Sequence, residues 1–222
     1  MTKNSENKNR QAFSRRQMLA GMVGAPLLGS VAIHGSPAKA ALKTSARIVV
    51  LGSGLGGLAI SNRLARELDG AKITIVDRKE IHNYQPGYTL VGTGIWPVGK
   101  VADRNSEFQP SGVDWVQEMA VEVDPDAQVV TTDAATKVPY DFLVVATGLH
   151  LDFDQIEGMD TNMIGSHGLG CVYPSPQAAE ATWNAMDQFR QQGGEALMTL
   201  PATPLKCAGA PLKVTFMLDD RL

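Results

Sequence analysis

Aromatic residues make up only 6% of this 222-residue chain, charged residues only 19%, and there are just two cysteines, Cys171 and Cys207. No period in the 22 glycines suggests collagen, and an apolar share of 44% is too high for a disordered chain. One domain of ordinary size fits this length and two large ones do not. His82, His150 and His167 show no metal-ligand spacing with one another or with the cysteines. Past residue 40 no apolar run approaches the roughly 20 residues that a bilayer-spanning helix needs, so the body is expected to be soluble or peripheral. There is no low-complexity tract, and Asp124-Pro125-Asp126 reads as a turn without a paired-carboxylate case behind it. A basic surface is missing too. Six of the 20 basic residues and one of the 23 acids lie in residues 1–40, so the remainder has 14 basic and 22 acidic residues and a net charge of −8. That balance disfavours a nucleic-acid partner.

The first 40 residues read as a targeting segment. A polar, basic start leads to an apolar stretch, Met18 to Ile33, and the small-residue pattern Ala38-Lys39-Ala40 precedes Ala41. The stretch is 16 residues long and holds glycine, serine and proline, which is short for a span, although a retained anchor is the other reading. Ser14-Arg15-Arg16-Gln17-Met18-Leu19 resembles the twin-arginine export signal, with Met18 where Phe is more usual. That resemblance implies a periplasmic protein exported already folded around a cofactor. In such an oxidising compartment the two cysteines can exist as a disulfide.

From Arg47 the chain runs Arg-Ile-Val-Val-Leu into Gly52-x-Gly54-x-x-Gly57, then into a helical pattern at Leu58, Leu64, Ala65 and Leu68. This is the strand, turn and helix of a dinucleotide fingerprint. Gly52 allows the tight turn, Gly54 lets backbone approach a pyrophosphate, and Gly57 lets the helix pack on the strand with its positive end toward phosphate. A second buried strand, Lys72 to Val76, ends in Asp77, twenty residues beyond Gly57, where a carboxylate can accept from both ribose hydroxyls. Arg78 follows it and is grouped with the cofactor-binding residues. The fold class expected is α/β, a Rossmann-like domain.

Which dinucleotide binds is better indicated by Tyr140 to Gly148, a buried strand closing on Ala146-Thr147-Gly148. It resembles the second flavin-binding signature of the two-dinucleotide-domain flavoproteins, which implies FAD; a plain core strand ending at Thr147-Gly148 is the alternative. Trp115 to Val123 and Val129 to Thr132 resemble the small strands that carry the adenine contact in such proteins, near Ala120. Downstream, Pro174 to Gln192 can form an amphipathic helix stopped by Gly193-Gly194, then Glu195 to Leu200 reads as a new strand, and Leu212 to Leu218 as another helix. The turn between these last two holds Gly209 and three prolines and lacks a second glycine fingerprint, which disfavours a nicotinamide donor. In that place stands Lys206-Cys207-Ala-Gly-Ala-Pro211. A lysine and a helix N-terminus both favour the thiolate; a buried, inert cysteine is the other reading.

Taken together, the glycine turn, Asp77, the segment His82 to Gly92, Ala146-Thr147-Gly148 and above all Lys206 to Pro211 are similar to sulfide:quinone oxidoreductases and to the flavoprotein subunit of flavocytochrome c sulfide dehydrogenase. The resemblance runs from about Ala46 to the last residue. It implies an FAD enzyme that oxidises sulfide, with Cys207 passing sulfur and electrons between substrate and FAD. Cys171 falls where many members carry another cysteine, with a structural or surface role as the alternative. Tyr84, Tyr88 and Trp96 can line a flavin pocket or serve as core. In the flavocytochrome a cysteine holds FAD covalently where this chain has Gly87, whereas Gln85-Pro86 looks more like the quinone-reducing branch, and Pro86 joins the expected cofactor contacts. Quinone and cytochrome c are therefore both open as acceptors, as is peripheral membrane contact.

Relatives of this kind run to roughly twice this length, since two nucleotide-type domains enclose the flavin. The chain divides, on this reading, into a signal at 1–40, an FAD-binding domain at 41–192 and, from 193 to 222, the start of a second, degenerate NAD-type domain. A fragment is one implication of that. A type II NADH:quinone dehydrogenase and a noncatalytic flavin-binding module are the rival functions.

Overall fold

The computed structural model describes residues 41–200 and 207–222. The export signal expected at 1–40 and the neighbour Lys206 lie outside the described residues. In chain order the elements are β1 (Leu42–Lys43), β2 (Arg47–Leu51), α1 (Leu55–Glu67), β3 (Leu68–Asp69), β4 (Lys72–Val76), β5 (Ile81–Asn83), α2 (Tyr88–Val91), β6 (Ala102–Arg104) and β7 (Val113–Val116), then β8 (Ala120–Asp124), β9 (Val129–Thr132), β10 (Lys137–Pro139), β11 (Phe142–Val145), α3 (Pro176–Gln192) and α4 (Ala210–Asp219).

A four-stranded parallel sheet in the order β11, β2, β4, β7 carries the fold. Parallel strands are covered on both faces, so they read as continuous β-branched runs, and Ile48-Val49-Val50-Leu51 is such a run. Ile48 and Val50 turn to one face, where they meet Leu58 of α1 with Ile73 and Ile75. Val49 and Leu51 turn to the other, where Val76 and the residues Val130, Val138 and Tyr140 close over them. Val130 and Val138 belong to a separate antiparallel sheet, β10-β9-β8. Val49, Val50 and Ile75 are at most 1% exposed, and each such side chain stabilises the fold by about 1.5–3 kcal/mol relative to exposure.

A third cluster forms from Tyr88, Val91, Val101, Val172 and Ala179, joining α2 to α3. Helix α3, expected from Pro174, starts two residues later: Ser175 Oγ accepts from the Ala178 N–H at 3.0 Å, and Pro176 takes the first position, where its missing N–H costs nothing. It ends at Gly193, with φ 72°. Helix α4 meets α3 through Arg190, whose Nε donates to Arg221 O at 2.7 Å, and Trp183 lies under both guanidinium groups.

Three expectations change. Trp115 to Val123 is not one small strand: Val113 to Val116 completes the central sheet and only Ala120 onward joins the antiparallel one. The strand expected at Tyr140 to Gly148 shortens to Phe142–Val145, the outermost strand beside β2, and Phe142 and Val145 are 62% and 68% exposed. The strand expected at Glu195 to Leu200 does not form, and all six residues are exposed. A lone strand has no partner for its N–H and C=O groups, and no described strand lies beside it.

Arg47 and Asp141 clasp the starts of β2 and β11. The Asp141 carboxylate accepts from Arg47 N at 2.7 Å and from its guanidinium at 2.6 Å, while the Asp141 N–H donates to Arg47 O. These bonds from Arg47 hold Asp141 down at about 2, below its ordinary 3.8. A depressed folded value stabilises the protein above the unfolded value and is lost as pH falls through the folded one. Asp141→Asn should therefore lower the denaturation midpoint at pH 7, and its gap from the parent should close as pH falls from about 4 to about 2. A gap that stays constant over that window, measured by denaturant melts at fixed pH, would show the clasp to be inert.

Candidate nucleotide site and cysteine cluster

At the end of β2 the chain turns sharply at Gly52, whose φ of 104° is strained for any L side chain. A Cβ at Gly52 would stand 2.4 Å from Ala146 O, and one at Gly57 would stand 1.8 Å from Gly52 O. Both glycines are thus required by the protein's own backbone. Gly54 is different. A Cβ there would meet nothing within 4 Å, and its φ of −71° suits any residue. It is the N-cap of α1, with no side-chain cap and no acid in the first turn, so the positive end of a 13-residue helix is open on this side. Open space against exposed Gly54, Leu55 and Gly56 fits an incoming diphosphate.

Asp77 follows β4, and its backbone N–H donates to Val116 O while Trp115 Nε1 donates to its carbonyl at 2.8 Å. Its carboxylate is already engaged. Oδ2 accepts from Ser53 N at 2.7 Å and from Ser53 Oγ at 2.9 Å, and Oδ1 accepts from Lys79 N at 2.9 Å. A carboxylate offers about four acceptor positions, so three are used and the remaining one is on Oδ1. Arg78, next in sequence, pairs with Asp133 at 2.7 Å, and the other oxygen of Asp133 accepts from Met119 N. That link ties Arg78, through Asp133, to Met119, the residue before Ala120, which opens β8. Ala146 N donates to Leu51 O, and Thr147 and Gly148 lie exposed beyond it, Gly148 with φ 79°.

The structure thus gathers Gly52, Gly54, Gly57, Asp77 and Ala146-Thr147-Gly148 at the C-terminal ends of β2, β4 and β11, the end at which open α/β sheets bind ligands. Sequence reasoning passed over Ser53, Asn105 and Asp133. Ser53 carried a signal, since a hydroxyl within Gly-x-Gly is a donor beside the acid; Asn105 and Asp133 carried none, lying far along the chain.

Pro86 is exposed in a single turn before α2, where its carbonyl accepts from Thr89 Oγ1 at 3.3 Å. Gly87 beside it is buried, and a Cβ there would stand 2.6 Å from Val101 Cγ1. A side chain at 87 has no room without moving Val101. Tyr88 and Trp96 both pack in the third cluster, Tyr88 fully buried and Trp96 partly so, while Tyr84 is 48% exposed.

The two cysteines are free thiols, not a disulfide. Cys171 is half-buried, its N–H donating to Thr182 Oγ1 at 2.8 Å; burial pushes its thiol up, against a backbone hydrogen bond from Tyr173. Cys207 is exposed, and its carbonyl accepts from Ala210 N at the start of α4. The Tyr173 phenol is raised, by burial first and by Cys207 second.

The sequence pattern of the pyridine nucleotide-disulphide oxidoreductase family matches residues 46–185. The chain belongs to that family. Its cofactor is FAD, and the open turn at Gly54 fits the diphosphate of such a dinucleotide. Among curated relatives, the chain is 33% identical over 203 residues to the mitochondrial sulfide:quinone oxidoreductase of Mus musculus, covering 89% of this chain and 43% of the mouse protein. It is 35% identical over 203 residues to the mitochondrial sulfide:quinone oxidoreductase of Dictyostelium discoideum, covering 91% and 43%. The chain therefore spans less than half the length of these relatives. The X-ray structure of the sulfide:quinone oxidoreductase from the hyperthermophilic bacterium Aquifex aeolicus superposes with a TM-score of 0.53 at 23% identity, over 67% of this chain and 33% of that one, which supports the fold.

Gly54→Ala separates fold from ligand. Since no protein atom opposes the new Cβ, stability without cofactor should stay within about 1 kcal/mol of the parent, the loss of a glycine N-cap, while FAD affinity falls at least tenfold. Thermal melts and flavin titrations check this; unchanged affinity would show that nothing occupies the turn.

Proposed function

We propose that this chain supplies the flavin-holding part of an enzyme that oxidises sulfide through Cys207 and passes the electrons to a quinone. The observation that carries this reading is Cys207 itself, an exposed thiol just ahead of α4 inside the Lys206 to Pro211 motif. Similarity to two sulfide:quinone oxidoreductases over about nine-tenths of the chain supports it. When bound, FAD supplies a two-electron acceptor. On this reading Gly52, Gly54 and Gly57 seat its diphosphate, Asp77 accepts from its adenosine ribose, and Arg78 and Ala120 border the adenine. Ala146, Thr147 and Gly148 bring backbone beside its phosphate and ribitol, and Pro86 lies on the approach.

Cys207 meets the reduced sulfur. On this reading Cys207 meets hydrosulfide while its sulfur is held in a disulfide or persulfide. Hydrosulfide attacks that sulfur, and the S–S bond breaks with its electron pair leaving on the other sulfur. The two electrons released when the S–S bond is remade from the thiols would go to FAD. Cys171, held toward the neutral thiol by burial, is the second cysteine assigned to the site, whereas the resemblance implies that the working partner of Cys207 comes from the second half of full-length relatives. Quinone is preferred to cytochrome c because buried Gly87 leaves no room for the covalent attachment that marks the flavocytochrome branch. The division into 41–192 and 193–222, the twin-arginine signal and a periplasmic location belong to the same proposal. Contact with a membrane would be peripheral in the described part, where no helix is long and apolar enough to cross one.

The test is anaerobic bleaching of the FAD-loaded chain. Sulfide should bleach it and NADH should not; Cys207→Ser should keep its flavin and lose the sulfide response. Normal bleaching of that variant by sulfide, or bleaching by NADH, would refute the assignment.

A further inference from the structure

Asn105 follows β6 and is 2% exposed, 52 residues from the glycine turn in sequence. Its Nδ2 donates twice, to Lys79 O at 2.6 Å and to Ser53 Oγ at 2.7 Å. Its Oδ1 is buried and has no partner. A buried polar atom left unbonded is costly, so the amide is not held here for its own satisfaction. Turning it over would set Oδ1 against the carbonyl oxygen of Lys79, which fixes its orientation. Because Ser53 Oγ accepts from Asn105, its single proton is left for Asp77 Oδ2. The same residue pair is bound a second time at the backbone, by Ser53 N. Lys79, whose carbonyl Asn105 holds, donates its own N–H to Asp77 Oδ1. Asn105 therefore bonds both residues that hold the Asp77 carboxylate, Ser53 at its hydroxyl and Lys79 at its carbonyl.

We propose that Asn105 is a positioning residue for the adenosine end of the flavin nucleotide, setting the direction of the Ser53 hydroxyl so that the Asp77 carboxylate stands fixed with Oδ1 available to a ribose hydroxyl. This rests on Asp77 being the ribose acceptor. The role is separable from packing because it acts through one side chain: without Asp77, Asn105 has nothing to position.

The experiment is a double-mutant cycle on the 222-residue chain, with FAD affinity read by flavin fluorescence. Asp77→Ala should weaken FAD by about tenfold to a hundredfold, the range for a hydrogen bond to a charged group. Asn105→Ala should weaken it about three- to tenfold in the parent and by less than about twofold once Asp77 is gone, a coupling that defines a shared route. Ser53→Ala, which keeps the backbone bond of residue 53 to Asp77 and disturbs the buried turn less, should show the same dependence. Losses that multiply in both double variants, or no loss in either single variant while Asp77→Ala weakens binding, would overturn the positioning role alone. Unchanged affinity in Asp77→Ala would instead overturn the ribose reading, and this proposal with it.

Discussion

Backbone pressed on backbone at one corner sets the rest of the molecule. The Gly57 position lies so close to Gly52 O, and the Gly52 position to Ala146 O, that the smallest side chain would force them apart. This contact brings three separate stretches together: the end of β2, the first turn of α1 and the end of β11. Close approach of helix to strand is what aims the helix N-terminus along the sheet axis, so a packing constraint becomes an electrostatic one. The sheet beneath is built for rigidity, its central strand buried on both faces by α1 and by the antiparallel sheet.

Around that corner the polar groups form a second tier. Asp77 is bound by Ser53 and Lys79, Arg78 by Asp133, and Asp133 by Met119. The bonds from Ser53 and to Asp133 tie the segment after β4 to the glycine turn and to the residues around β8, so the rim of the site is pinned at more than one point. The cysteines stand on a different foundation. Their segment rests on the helical layer, where Val172 packs with Tyr88 and Ala179, and where α4 is fastened to α3 by Arg190, Arg221 and Trp183. A flavin chemistry that uses Cys207 would thus join two structural parts, one that holds the nucleotide and one that presents the sulfur.

Much of the first part was legible in the residues. Buried parallel strands announce themselves as runs such as Ile-Val-Val-Leu, and glycines at fixed spacing announce a turn, because both follow from local sterics. The helix ending at Gln192 was readable for the same reason, stopped at Gly193 as expected, although it starts at Pro176 behind a Ser175 cap and not at Pro174. Legibility ended where partners decide. Trp115 joined the central sheet because β4 lies alongside it, Phe142 and Val145 were left exposed at the sheet's outer strand, and Glu195 to Leu200 stayed irregular for want of a neighbour. No local signal marks Asn105, whose meaning comes entirely from Ser53 and Lys79 across the fold.

The central claim is that the unclaimed space at Gly54, facing the start of α1, is a seat for a diphosphate. Equilibrium dialysis of the chain against FAD and against FMN, which lacks the diphosphate bridge and the adenosine, tests it most directly. The account predicts one FAD retained per chain and FMN bound at least tenfold more weakly; equal retention of the two, or of neither, would contradict it.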